Sequence, residues 1–382
     1  ASINAFAAPG GIIGINTGMF IKTETEGQFA SVMCHELAHL SQRHYARSQQ
    51  NYNPLTNALI LLGSVATAVV TANPQAILIA PALIQQLATN YTRENEREAD
   101  RIGFRNLVNA GFDPRSQSQM FQILQKSQSG INEEYSYLFT HPIPKERITD
   151  ARIREENIDN QSNYRNSLEF YLVKARAEVA NSKNYNSLKD FYLSKHKDND
   201  NKIELYKKYG LSLVLKEQKK YEESFKAARE LLKEIPSNLI FQTNILEIHL
   251  AEGNSLEAIS VGEKLLNVNS NNFSISYYLA KAYILDNNPE KAEEILINLS
   301  KENPRDPTVW YELAEAQGLA GNIIGLHRSR AEYFILTGRY DSAIFQLREG
   351  LKLSKNFFEI RESIINKLEQ IYKTKRALKD LT

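Results

Sequence analysis

Apolar residues return at intervals of 34 positions across the second half of the chain. Leu211, Ile245, Leu279 and Leu313 form one column, and Leu231, Leu265 and Leu299 form a second. The small residues Ser224, Ala258 and Ala292 make a third, and turn residues fall in register at Gly253, Asn287 and Gly321. Pro236 and Pro304 stand two periods apart. Such a unit predicts two antiparallel helices whose small residues permit close packing and whose leucines fill a shared core. One pair cannot bury its apolar stripe alone, so the units stack into a curved solenoid with a concave face. The pattern is clear over residues 205–306 and degenerates toward both ends, as capping units do. Gly338-Arg339 then follows Gly321-Asn322 at half a period, which predicts helices to the end of the chain.

The first half carries other periods. Residues 3–20 alternate loosely around Pro9-Gly10-Gly11 and predict a β-hairpin, or two short strands joined by a turn. Phe29, Ala30, Val32, Met33, Leu37, Ala38 and Leu40 give residues 29–40 the apolar faces of a helix free of proline and glycine. Residues 58–88 are almost wholly apolar but are broken at Asn73-Pro74-Gln75. Neither half reaches the roughly 20 residues that span a bilayer, so two buried or partly exposed helices are predicted. A lid over a cleft, or a surface touching membrane or an unfolded substrate, is the alternative. A helix follows from near residue 91 to about 109, stopped by Ala110-Gly111. Asp113-Pro114 opens another, with Asp as N-cap, and Pro144 opens a third through Arg147 and Arg152. The polar, asparagine-rich residues 157–166 mark a boundary, giving domains at 1–157 and 158–382.

Composition narrows the classes. A formal charge of +1, from 46 basic and 45 acidic residues, argues against a nucleic-acid surface. Cys34 stands alone, so there is no disulfide framework, and it is expected as a small buried residue rather than a ligand. The chain starts without Met or a signal peptide, as a processed or trimmed product does.

The candidate chemistry lies at His35-Glu36-Leu37-Ala38-His39. On a helix, His-Glu-x-x-His puts two imidazoles one turn apart on one face, where both reach a single metal ion. Zinc suits nitrogen and carboxylate donors, and Glu36 is then placed to take a proton from water that zinc acidifies. A third donor is needed. The pattern HExxHxxGxxH fails, since Gln42 and Tyr45 stand where Gly and His are required. His44 lies about 180° from His35 on a continuous helix, and is expected as a surface or packing histidine. Glu96 and Asp100, again one turn apart, offer a ligand and a carboxylate for the outer nitrogen of a ligating His. The competing reading of that pair is a charged solvent face.

Four segments, INAFAAPGGIIGINTGMF, CHELAHLSQRHYAR, RENEREADRIGF and THPIPKERI, resemble the M48 family of gluzincin metallopeptidases in order and context. The resemblance covers about residues 1–155 and implies a mainly α protein: a zincin-like α+β metallopeptidase domain followed by an α-solenoid of tetratricopeptide repeats. It implies one zinc held by His35, His39 and Glu96, Glu36 as general base, and Asp100 as the aspartate of the ExxxD element. His141 and Arg147 match an element lying over the active site in this family. His141 is expected as a gate occupying the fourth zinc position, Arg147 as an oxyanion donor, and a solvent-facing loop is the plainer alternative. An edge strand within residues 4–14 is expected to hold extended substrate by strand addition. An M48 domain joined to such repeats resembles the periplasmic members of the family. That implies a zinc endopeptidase of envelope quality control, acting on unfolded or misassembled outer-membrane proteins. The repeats would contact the barrel-assembly machinery, with peripheral membrane contact and no nucleic acid. A chaperone-like scaffold with a silent or gated metal site is the alternative.

Overall fold

The computed structural model describes residues 2–8, 10–49, 93–126, 137, 141, 145–158, 164, 166–194 and 200–380. The apolar stretch at 58–88, with the helices or lid expected there, lies outside them, as do Pro142 and Pro144 beside His141. The chain forms two compact units, Ala1–Val214 and Leu215–Thr382. The division falls beyond the asparagine-rich stretch, so the first helices after that stretch belong to the amino-terminal unit.

In the first unit, strands β1 (Ala5–Ala8) and β2 (Ile12–Ile15) pair antiparallel, Ala5 opposite Ile15 and Ala8 opposite Ile12. Gly10 and Gly11 take φ of +93° and +79° between them, a conformation that side chains with a Cβ resist. All of β1 is buried and packs on helix α2 (Glu26–Ser41), which follows the short α1 (Thr17–Lys22). A capping box starts α2: the Thr25 hydroxyl accepts from the Gln28 amide at 3.2 Å, and the Gln28 side chain accepts from the Thr25 amide at 3.3 Å. The helix stops at Gln42, because Arg43 adopts φ +53° and turns the chain into α3 (His44–Gln49).

Helix α4 (Arg93–Asn109) lies along α2. Their approach depends on Gly103, where a Cβ would sit 3.0 Å from the His35 backbone. Any larger residue would push apart the two helices that carry the candidate donors. Gly111, at φ +84°, ends α4 as the sequence predicts. Helix α5 (Ser116–Lys126) starts two residues later than Pro114, because the Asp113 carboxylate first accepts from the Arg115 amide at 2.9 Å. Helix α6 (Lys145–Glu156) packs on α5. Ile3, Met19, Val32, Met120, Leu124, Tyr137 and Ile148 form one buried cluster beneath α2. Each such side chain contributes about 1.5–3 kcal/mol by leaving water, and together they hold α2 against α5 and α6.

Helices α7 (Leu168–Ala180), α8 (Tyr185–Leu193) and α9 (Asn201–Glu217) complete the unit, α9 running across the division. Helix α7 is tied to the start of α2. Asn166 accepts from the Glu26 amide at 2.9 Å, and Glu26 accepts from the Ser167 amide at 2.7 Å. The Lys174 ammonium donates to the carbonyls of Phe20, Ile21 and Thr23 at the end of α1, at 3.2, 2.8 and 2.6 Å. These bonds satisfy helix-end carbonyls that would otherwise need water.

The second unit is helical throughout its described residues: α10 (Tyr221–Glu234), α11 (Leu239–Glu252), α12 (Ser255–Val268), α13 (Phe273–Leu285), α14 (Pro289–Glu302), α15 (Pro307–Leu319), α16 (Ile323–Leu336), α17 (Tyr340–Leu353) and α18 (Phe358–Asp380). Consecutive helices pack on one another. The small-residue column Ser224, Ala258 and Ala292 is fully buried, as close helix pairing requires. Lys219, Gly253, Asn287 and Gly321, each 34 residues after the last, all take positive φ. Caps recur with the same period: Asn238, Asn272 and Asp306 accept from the amides of Phe241, Ile275 and Thr308 at 3.1, 3.1 and 2.8 Å. The repeat is thus written in turns and caps as well as in leucines.

Candidate metal centre

Helices α2 and α4 bring His35, His39 and Glu96 together, and His141 joins them from a separate segment. One donor atom from each of the four lies within 4.8 Å of all the others, and all four residues are buried. His35 Nε2 is 3.0 Å from His39 Nε2 and 3.4 Å from His141 Nδ1. Glu96 Oε1 is 3.0 Å from His141 Nδ1 and 3.3 Å from His39 Nε2. Imidazole nitrogens and a carboxylate oxygen that converge in this way can hold a cation. The set of three imidazoles and one carboxylate fits zinc.

The surrounding groups orient these donors. Asp100 Oδ1 lies 3.1 Å from His35 Nδ1, the outer nitrogen, as expected for the i,i+4 partner of Glu96. His141 is held by its backbone amide, which donates to the Tyr137 carbonyl at 2.9 Å, and by its ring, stacked on Tyr137 at 4.6 Å between centroids. Glu36 is fully buried; no side chain among the described residues bonds its carboxylate in good geometry, and the Ala7 backbone amide on β1 is the donor that faces it. His141 Nε2 stands 3.4 Å from Glu36 Oε1. A buried carboxylate left this way is costly as a structural element and suited to accepting a proton from a bound molecule.

The electrostatics follow from burial and these pairs. Burial pushes the Glu36 carboxyl above its ordinary range. Burial also works against charge on Glu96, but the neighbouring imidazoles outweigh it and hold this carboxyl well below the usual range. Asp100 is likewise buried, yet the Arg147 guanidinium and the His35 ring bring it down to about 2. For His35, burial is outweighed by Asp100 and Glu96, which push the imidazole up to about 10. His39, deeply buried, is held well below its usual value. The two ring histidines of one motif therefore sit in opposite electrostatic surroundings, set by which has the aspartate.

The Arg147 expectation needs correction, and the structure decides between the two alternatives for His44. Arg147 does not aim its donors into a cleft: Nε and Nη2 bond the two oxygens of Asp100 and Nη1 bonds Glu96 Oε2, each at 2.7 Å. The ring of Phe121 covers it at 5.1 Å. The guanidinium is a clamp between two buried carboxylates, because both are within its fork. His44 is buried, the packing side of its expectation, and is not among the clustered donors. The helix it was counted on ends before it, and the turn at Arg43 swings it back so that its Nδ1 is 2.8 Å from His39 Nδ1. Cys34 is half-buried rather than buried and is not among the clustered donors.

The sequence as a whole has relatives that match this arrangement. The profile of peptidase family M48 matches residues 1–155, and that of the tetratricopeptide repeat matches residues 249–317. The chain is 33% identical over 349 residues to the beta-barrel assembly-enhancing protease of Escherichia coli (strain K12), covering 90% of this chain and 71% of that one. It is 32% identical over 355 residues to the protein of that name in Yersinia pestis, covering 91% and 72%. Over 158 residues it is 32% identical to the mitochondrial metalloendopeptidase OMA1 of Arabidopsis thaliana, 40% of this chain and 30% of that one.

Proposed function

Because this chain belongs to peptidase family M48 and is a metalloendopeptidase, we propose that it is a zinc enzyme of envelope quality control that degrades misassembled outer-membrane β-barrel proteins. The observation that carries the reading is the buried quartet His35, His39, Glu96 and His141 with the buried Glu36 carboxylate beside it. His35, His39 and Glu96 would hold the metal, with His141 placed as the fourth donor of the resting site. When bound, zinc supplies Lewis acidity, polarising a peptide carbonyl and making water acidic near neutral pH.

The protein's own groups do the rest. Glu36 takes the proton of the attacking water on its carboxylate and delivers it to the leaving amine, a transfer favoured by a carboxyl raised toward the working pH. Asp100 fixes the His35 ring, and Arg147 fixes Glu96 and Asp100 together. The buried strand β1, lying on α2, supplies extended backbone within residues 4–14 to align a substrate strand. The repeats bind the unfolded client or the barrel-assembly machinery. The setting is the periplasm, with peripheral contact to membrane, and no described helix is long and apolar enough to cross a membrane.

Four protein donors make a closed site, as in structural zinc centres, whereas three leave a position open. His141 is therefore a gate. The test is incubation of an unfolded outer-membrane barrel protein with the zinc-loaded chain, followed by mass spectrometry of fragments. Cleavage should need zinc, stop with chelator, and rise in the His141→Ala variant, including self-directed cleavage. Cleavage indifferent to chelator would remove the zinc-enzyme reading. Loss of cleavage in His141→Ala would remove the gate and leave the enzyme.

A further inference from the structure

His44 stands outside the donor quartet, yet it is fully buried and touches one of its members. Its Nε2 lies 3.1 Å from Glu98 Oε2, and the same carboxylate oxygen accepts from Arg47 Nη1 at 2.9 Å. An ionised carboxylate can only accept, so the hydrogen in the first contact belongs to His44 Nε2. A neutral imidazole carries one hydrogen, which leaves His44 Nδ1 as an acceptor. That atom is 2.8 Å from His39 Nδ1, so the His39 nitrogen must be the donor. His39 then has its hydrogen on Nδ1 and its lone pair on Nε2, the nitrogen that faces His35 and Glu96.

We propose that His44, itself fixed by Glu98, is a positioning residue that sets the tautomer and ring orientation of His39 for metal binding. The two histidines of the motif are then served by different devices. His35 donates outward to a carboxylate, Asp100, and His39 donates outward to a second imidazole. The arrangement needs the break at Arg43, since a continuous α2 would carry His44 to the opposite face. It also makes Glu98 part of the site from a partly exposed position on α4, two residues beyond Glu96.

This rests on the reading of His39 as a ligand, and the experiment separates the two. Zinc affinity and zinc release are measured by competition with a chromophoric chelator, on the full chain, for wild type, His44→Phe, His44→Asn and Glu98→Ala. Phenylalanine fills the space but offers no acceptor. Asparagine is smaller but can place an acceptor oxygen near the old Nδ1 position. His44→Phe should weaken zinc binding about 10–100-fold, the usual effect of losing the group behind a ligand, and His44→Asn should recover most of it. Glu98→Ala should weaken binding less and speed zinc release, because the tautomer of His44 is no longer dictated. A packing role predicts the reverse order, with Phe better than Asn. Wild-type affinity in His44→Phe, Asn no better than Phe, or unchanged zinc release in Glu98→Ala would each overturn the proposal. A wild-type chain that takes up no stoichiometric zinc would instead overturn the metal-site reading.

Discussion

Replacing Glu36 by Gln lowers peptide-bond hydrolysis at least about 10²-fold while zinc stays bound at one ion per chain. The amide keeps the size of the carboxylate and cannot accept a proton. Glu36 is not in the donor quartet, so the metal should not notice the change. The Ala7 backbone amide is the donor that faces Glu36, and the amide oxygen of Gln can still accept from that group. Stability should therefore be retained or rise slightly, because a buried carboxylate has been replaced by a neutral group. Metal content, amide exchange and turnover on one unfolded substrate measure the three effects together. Near-normal turnover in metal-loaded Glu36→Gln would take the general base away from this residue.

Arg147→Met should cost about 3–5 kcal/mol locally, the penalty for stranding the partner charges of a buried pair. Glu96 and Asp100 are both almost wholly buried, and three guanidinium N–H groups bond them at 2.7 Å. Without Arg147 the two carboxylates face each other one helical turn apart with less to balance them. In the metal-free protein the amides of α4 should then lose about 10²- to 10⁴-fold of their protection from hydrogen exchange, the same penalty read as an opening equilibrium. Zinc affinity should fall as well, since Glu96 loses its anchor. Arg147→Lys should recover only part of both, because an ammonium cannot reproduce the fork. An oxyanion donor would behave differently. Its loss would reduce turnover and leave exchange and metal affinity unchanged, and that outcome would restore the role expected from the sequence.

The His35–Glu36–His39 spacing was legible because a helix has one period, and the residues around it left no doubt of helix. Glu96 and Asp100 were legible for the same reason, although their burial was not: twelve positions of charged helix look alike until Gly103 shows which side meets α2. The repeats were legible from leucines, small residues and the turns at Gly253, Asn287 and Gly321, yet the side-chain caps and the positive φ at Lys219 repeat just as strictly and carry no hydrophobic signal. The contact of His44 with His39 was not legible because one residue, Arg43, leaves the helical region, and no pattern of apolar positions marks that turn. Arg147 was assigned to the right neighbourhood through resemblance, but the direction of a long side chain depends on which carboxylates are buried with it. The division between compact units is also a packing fact. The asparagine-rich stretch is a break in composition, whereas Lys174, Asn166 and Glu26 bind the next helix to the start of α2.

The central claim is that His35, His39, Glu96 and His141 together hold one zinc ion. X-ray absorption at the zinc edge of the loaded, resting protein tests it most directly. The account predicts nitrogen and oxygen donors at about 2.0–2.1 Å, with scattering from three imidazoles that falls to two in His141→Ala. A resting spectrum already at two imidazoles and unchanged by His141→Ala would contradict the fourth donor, and a sulfur donor at about 2.3 Å would contradict the site itself.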